Sequence, residues 1–160
     1  MKKGLNISIP GWGQLDIRYL ILDLNGTLAL DGKLLPGVKK RLEHLSTIFE
    51  RIFILTADTY GTVAQVFQNL PVQIHRIASL NGAVEKQTFI KNLNNKYCVT
   101  IGNGVNDSLM FKEATLSICI LGEEGTAVEA LLNAHIIVNN INDALDLFLF
   151  PKRLVATLRR

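Results

Sequence analysis

Asp23 stands directly after the apolar run Tyr19-Leu20-Ile21-Leu22 and opens the stretch Asp23-Leu24-Asn25-Gly26-Thr27, so a carboxylate sits at the C-terminal end of what reads as a buried strand. An ionised side chain in that position needs a reason. In open α/β sheets ligands bind in the crevice beyond the strand C-termini, and Gly26 lets the backbone turn tightly enough to aim N–H groups into it. Asp23 is therefore the candidate nucleophile. Two more strand-like runs end on polar chemistry. Ile52-Phe53-Ile54-Leu55 leads into Thr56, which offers a hydroxyl donor, and Val99-Thr100-Ile101 leads into Gly102-Asn103-Gly104-Val105-Asn106-Asp107, a turn rich in glycine and carboxamide that ends with an acid at a helix start. Lys86 falls on the helix that precedes the fourth core strand.

These residues share a site only if the chain builds a doubly wound sheet. Short β-rich runs near 19–24, 51–55, 72–77, 97–101, 115–120 and 136–138 alternate with amphipathic stretches near 36–46, 60–69, 81–93, 106–112, 125–133 and 141–149. That alternation predicts an α/β fold, a parallel sheet with helices on both faces, and the nearly continuous Ile, Leu, Val and Phe of the strands suits double coverage. Pro36-Gly37 opens the first helix, Gly61 follows an Asp58-Thr59 start signal, and Asn81-Gly82 marks another turn. Leu5-Asn6-Ile7-Ser8-Ile9 alternates and breaks at Pro10-Gly11-Trp12-Gly13, which predicts an N-terminal hairpin against which Trp12 packs. Asp31-Gly32 predicts a second small hairpin within Leu28–Leu35, beside the pocket, and Pro151–Arg160 reads as a final helix.

The chain has 160 residues, 48% of them hydrophobic, which fits a single domain over 1–160 with a sizeable core. Its first residues read poorly as a signal peptide, and no run approaches the roughly 20 apolar residues that span a bilayer, so no membrane partner is expected. Cys98 and Cys119 lie in apolar runs on strands that could neighbour each other, where thiols behave as small core hydrophobes. A reducing, cytoplasmic location is the expectation. The net charge of +3 gathers partly in Lys152-Arg153 and Arg159-Arg160 without interleaved aromatics. That pattern suits a solvated helix end better than a nucleic-acid surface. His44, His75 and His135 fall on separate elements without metal-ligand spacing, which places them at the surface or at edges.

In these segments the chain resembles the haloacid dehalogenase superfamily of phosphotransferases, whose four motifs are an Asp-x-Asp-Gly-Thr loop, a Thr or Ser, a Lys, and a Gly-Asp-Gly-x-x-Asp-type loop. Their order and spacing match over about residues 19–140. Within the superfamily the chain is most similar to the phosphorylation domain of P-type ATPases freed of its membrane part, through Leu55-Thr56-Ala57-Asp58, Gly102-Asn103-Gly104-Val105-Asn106-Asp107-Ser108 and Gly125-Thr126-Ala127-Val128-Glu129-Ala130. The resemblance implies a three-layer Rossmann-like fold, mainly parallel and capless, with no nucleotide-binding insertion, so ion-pump recognition of ATP is not expected. It also implies that Asp23 attacks phosphorus and forms an aspartyl phosphate, and that Thr56 and Lys86 bind the equatorial oxygens. Gly26 and Asn106 join them around the substrate. A Mg²⁺ ion bridges Asp23 and the phosphate with the backbone carbonyl of Asn25, and Asp107, Asn103 and Asn106 complete or orient its shell. Small capless members often oligomerise, which implies a homo-oligomer built around Leu28–Leu35.

Two departures bear on turnover. Asn25 matches a position where many of these phosphatases carry an acid/base Asp, whose help is worth roughly a hundred- to ten-thousand-fold; P-type ATPases carry Thr there. Asn103 matches a metal-binding Asp, so the site loses a formal negative charge. The expectation is a slow, Mg²⁺-dependent phosphohydrolase acting on a phosphorylated substrate that no cap identifies. The competing expectation is a regulatory or phosphate- and metal-binding protein without catalysis. Residue by residue, a structural reading stands beside the functional one. Asp23 could cap a turn and Thr56 could begin one, Lys86 could be a surface lysine like Lys91 and Lys96, and Asp107 could favour a helix N-terminus. Asn103 and Asn106 could simply form turns. Asp58 reads as a helix cap and stays outside the expected site.

Overall fold

The computed structural model describes residues 3–57 and 62–160. β1 (Leu5–Ile9) and β2 (Gly13–Ile17) pair antiparallel with Leu5 opposite Ile17, and their alternation turns Ile7, Ile9, Leu15 and Ile17 inward. Trp12, at the hairpin tip, packs on the same core and meets the His135 ring edge-on at 5.4 Å. The main sheet follows. β3 (Tyr19–Asp23) leads through the short pair β4 (Ala29–Leu30) and β5 (Lys33–Leu34) and α1 (Val38–Ile48) to β6 (Arg51–Thr56). Then come α2 (Thr62–Val66), β7 (Gln73–Arg76), α3 (Gly82–Asn92), β8 (Cys98–Gly102), α4 (Ser108–Glu113) and β9 (Leu116–Ile120). α5 (Val128–Asn133), β10 (Ile136–Val138), α6 (Ile141–Leu149) and α7 (Pro151–Leu158) complete the chain.

The six core strands are all parallel and run in the order β10-β9-β8-β3-β6-β7. Successive strand residues face opposite sides, so Leu20, Leu22, Ile52, Ile54, Val99 and Ile101 join one core with α1, α2, α6, α7 and the N-terminal hairpin. Ile21, Phe53, Leu55, Cys98 and Cys119 join the other, under α3, α4 and α5. The chain leaves β3 toward β6 and β7 and then returns across it to β8. The topological switch point therefore lies between β3 and β8, which is where such sheets hold ligands.

Every expected strand and both hairpins are present, while helix bounds differ; the first helix, expected over 36–46, covers Val38–Ile48. α2 covers Thr62–Val66; the start signal Asp58-Thr59 and Gly61 lie outside the described residues. The helix expected from 106 begins at Ser108, because a tight 3-10 turn at Val105–Asp107 comes first. The helix expected from 125 begins at Val128, because Gly125 takes φ +87° and the Ala127 N–H is drawn to the Asn103 carbonyl at 3.0 Å. The final helix ends at Leu158, and the Arg160 N–H donates to the Pro10 carbonyl instead. Cys98 and Cys119 are both fully buried on adjacent strands. The register pairs Cys119 with Gly102, however, so Cys98 lies four positions down its strand, about 13 Å away. His44 and His75 are exposed, and His135 accepts the Ser117 N–H at its Nδ1.

Candidate active site

Asp23 ends β3, and the register sets it opposite Leu55, so Thr56 lies one residue further out on the adjoining strand, buried at 3% exposure. From the other face α3 brings Lys86, which is 1% exposed. Its Nζ donates to Asp23 Oδ1 at 2.9 Å and to Asp107 Oδ1 at 2.7 Å. Lys91, by contrast, is a solvent-exposed lysine. Burial of an ammonium is sustained only by paired charge, and here two carboxylates meet one cation.

The loop after β8 explains how Asp107 comes to be there. Its Oδ2 accepts the N–H groups of Asn103 and Gly104, both at 3.0 Å, which closes the loop on itself. Gly102 is required at the strand end, since a Cβ there would collide with the Asp107 carboxylate. Both Asp107 oxygens are thus engaged, one with the loop backbone and one with Lys86, and the residue orients the site from beneath. Gly26 is the other constrained glycine. Its φ is +76°, and a Cβ would strike Glu124 Oε2 and approach Asn103 Nδ2 to 2.7 Å.

Thr27, fully buried, was absent from the sequence-based site and proves central. Its Oγ1 lies 3.2 Å from Asp23 Oδ2 and 3.3 Å from Asn103 Oδ1. A hydroxyl carries a single proton, so it satisfies one of these converging oxygens at a time. Asn103 is held in that orientation because its Nδ2 donates to the Gly125 carbonyl at 3.1 Å. The loop after β9 was also missed as a site element, although Gly125–Ala130 belonged to the resemblance. It buttresses Asn103 and carries Glu124 over Gly26. Asn25 and Asn106 are exposed, at the rims of their two loops.

Burial and the Asp107 carboxylate push the Asp23 carboxyl up to about 7, against the opposing pull of Lys86 and Thr27. Burial works against the Lys86 charge too, but Asp23 and Asp107 outweigh it and hold its pKa above the ordinary lysine value. One negative charge is therefore in excess when both acids ionise. Among the described residues no three His, Cys, Asp or Glu side chains are grouped to hold a metal. A divalent cation would rest on mixed oxygens, Asp23 Oδ2 and Asn103 Oδ1 first, and the excess charge and the single proton they share fit such an ion. Hard oxygen donors of this kind suit Mg²⁺.

No family model matches the chain. It is 51% identical over 65 residues to the uncharacterized protein MJ0073 of Methanocaldococcus jannaschii, covering 41% of this chain and 70% of that protein. Among solved structures, the cobalt-bound deoxy-D-mannose-octulosonate 8-phosphate phosphatase of Haemophilus influenzae superposes with a TM-score of 0.71 at 12% identity, over 90% of this chain and 94% of that one. The 3-deoxy-D-manno-octulosonate 8-phosphate phosphatase of Moraxella catarrhalis, in complex with magnesium, phosphate and KDO, gives 0.64 at 17% identity, covering 89% and 94%. The catalytic domain of the CPx-ATPase CopB-B gives 0.59 at 27% identity, covering 72% of this chain and 45% of that one.

Proposed function

For a chain that belongs to one family with MJ0073 and carries the haloacid dehalogenase fold, we propose a Mg²⁺-dependent phosphohydrolase that works through Asp23. The observation that supports it is the buried trio of Asp23, Lys86 and Asp107, brought together from three separate segments at the switch point of the sheet. A charged trio of this kind contributes little net stability, and perturbed carboxyls in a crevice are a mark of function.

In the proposed reaction the Asp23 carboxylate attacks phosphorus, the bond from phosphorus to the alcohol oxygen breaks, and an aspartyl phosphate forms on Asp23. Lys86 and Thr56 bind the equatorial oxygens, and Lys86 compensates the charge that Asp23 gives up to the new bond. The alcohol oxygen takes its proton from solvent, because the Asn25 carboxamide has none to give at neutral pH. Water then attacks phosphorus, releases inorganic phosphate and returns Asp23. Asn25 cannot activate that water, so breakdown of the phosphoenzyme limits turnover. The metal would be held by Asp23, Asn103 and the Asn25 carbonyl, with Asp107 positioning the loop that carries Asn103. Bound there, it would offset the repulsion between carboxylate and phosphate.

The test is hydrolysis of p-nitrophenyl phosphate and acetyl phosphate with added Mg²⁺, with Asp23→Asn prepared in parallel. Turnover lost in Asp23→Asn supports the proposal. Equal rates in both proteins would defeat it, and phosphate binding without turnover in the wild type would favour the regulatory reading that Asn25 and Asn103 motivate.

A further inference from the structure

We infer that Glu124 is a positioning residue for the divalent cation: its carboxylate supplies, through the water shell of the ion, negative charge that the groups at the nucleophile lack. The inference rests on the Mg²⁺-dependent phosphohydrolase reading. Of the two acids in the buried trio, Asp107 is fully engaged, because Oδ2 accepts two backbone N–H groups and Oδ1 accepts from Lys86. Asp23 Oδ1 is held by Lys86 as well. A cation is left with one charged oxygen, Asp23 Oδ2, beside the neutral Asn103 Oδ1, the two oxygens that flank the Thr27 hydroxyl. That is sparse charge for a dication, whose affinity rises with the charge of the ligands around it.

Glu124 reaches this point from the loop after β9. A Cβ on Gly26 would strike Glu124 Oε2 and would stand 3.2 Å from Asn103 Oδ1, so the two oxygens lie no more than about 5 Å apart. Mg²⁺ usually keeps several of its waters, and one of them can bridge such a gap. Among the described residues the Glu124 carboxylate has neither a hydrogen-bond donor nor an ion-pair partner that would hold it elsewhere.

The turn that carries Glu124 is fixed on both sides. The Gly125 N–H donates to the Gly122 carbonyl at 3.0 Å, which closes a turn with Glu123 and Glu124 at its centre. Thr126 Oγ1 donates to the Ile120 carbonyl at 2.7 Å, and the Gly125 carbonyl accepts Asn103 Nδ2 at 3.1 Å. Gly122 comes so near the nucleophile turn that a Cβ there would be 3.0 Å from the Gly26 carbonyl. The same bonds therefore place Asn103 and Glu124 together. Glu123 instead lines the cavity between the β4–β5 hairpin and the start of α6. Both glutamates are solvent-exposed, so removing either takes the same charge from the same turn, and only Glu124 acts on the ion at short range.

The experiment measures Mg²⁺ binding by calorimetry for the wild type, Glu124→Gln, Glu123→Gln and Asp23→Asn, and binding of inorganic phosphate without metal by NMR of backbone amides. Glu124→Gln is expected to weaken Mg²⁺ about three- to tenfold at low ionic strength, with the loss shrinking as salt is added, and Glu123→Gln to weaken it less than about twofold. Glu124→Gln should also tighten metal-free phosphate about twofold, since a carboxylate that draws a cation repels an anion. A merely disturbed loop would weaken both ligands. Equal losses of Mg²⁺ in the two glutamate variants, no loss in Glu124→Gln, or weakening of both ligands would overturn the inference. Asp23→Asn separates it from the reading beneath it. Mg²⁺ binding lost in Asp23→Asn but unmoved in Glu124→Gln keeps the cation site and removes Glu124 from it, whereas a wild type that binds no Mg²⁺ removes both.

Discussion

Asp23, Lys86 and Asp107 place two acids around one cation in a site sealed from water on most sides, and the sign of that imbalance can be measured. The Asp23 carboxyl is raised from its ordinary 3.8 to about 7 in the folded protein. A raised carboxyl favours the protonated folded state, so its contribution to stability is fully present below about pH 4 and is lost as pH climbs through 7. Asp23→Asn keeps a neutral side chain at every pH. It should therefore unfold in urea with a stability about 1–3 kcal/mol above wild type at pH 8, and with little difference at pH 4. Mg²⁺ should narrow the gap at pH 8 by stabilising the ionised wild-type carboxylate. Gly26→Ala tests the other tight point. Its φ of +76° and the nearby Glu124 and Asn103 ends predict a loss of about 1 kcal/mol or more, together with weaker Mg²⁺ binding as the Asn103 amide is displaced, read by calorimetry. At this scale Asp23, Lys86, Asn103 and Asp107 were legible, because motif order and strand ends single them out. Thr27 was not, since a buried threonine after a glycine looks like ordinary β-branched core until its hydroxyl is seen between two oxygens.

At the level of elements, strands were easy to read and helix starts were not, for one physical reason. A strand covered on both faces announces itself by continuous apolar residues, and Leu20-Ile21-Leu22 and Ile52-Phe53-Ile54-Leu55 are all buried as that pattern demands. A helix start is decided by where the first N–H groups find partners. At α5 that partner for Ala127 is the carbonyl of Asn103, too distant in sequence for local signals to reveal. At α6 the partner is local. Asn140 caps the helix by accepting the Asp143 N–H at 3.0 Å, and its loss should be felt as lost stability. Asn140→Ala is expected to cost about 1 kcal/mol in urea denaturation. An unchanged midpoint would mean that packing of α6 against α1 alone fixes the helix end.

Considered whole, the molecule has two cores that share the four central strands β9, β8, β3 and β6, so the two are expected to melt together. The N-terminal hairpin is bound into this unit by Ile7, Ile9, Leu15 and Ile17, by Trp12 against His135, and by the Arg160 N–H on Pro10. Trp12 is the single tryptophan and reports on that hairpin. Its fluorescence and the far-ultraviolet circular dichroism should trace the same urea curve, and separated midpoints would show that the hairpin detaches first. Between β3 and β6 the chain builds only a two-residue-strand hairpin and α1, so that connection adds nothing of domain size over the site. The two thiols carry a different consequence. Cys98 and Cys119 are sealed in the sheet, and burial pushes them to about 12 and about 11, so neither reacts while the sheet holds. Alkylation of the native protein then becomes a clock of opening events, with one dial on β8 and another on β9, and a reagent that marks both at a single rate would be timing the collapse of the entire sheet rather than the fraying of its edge.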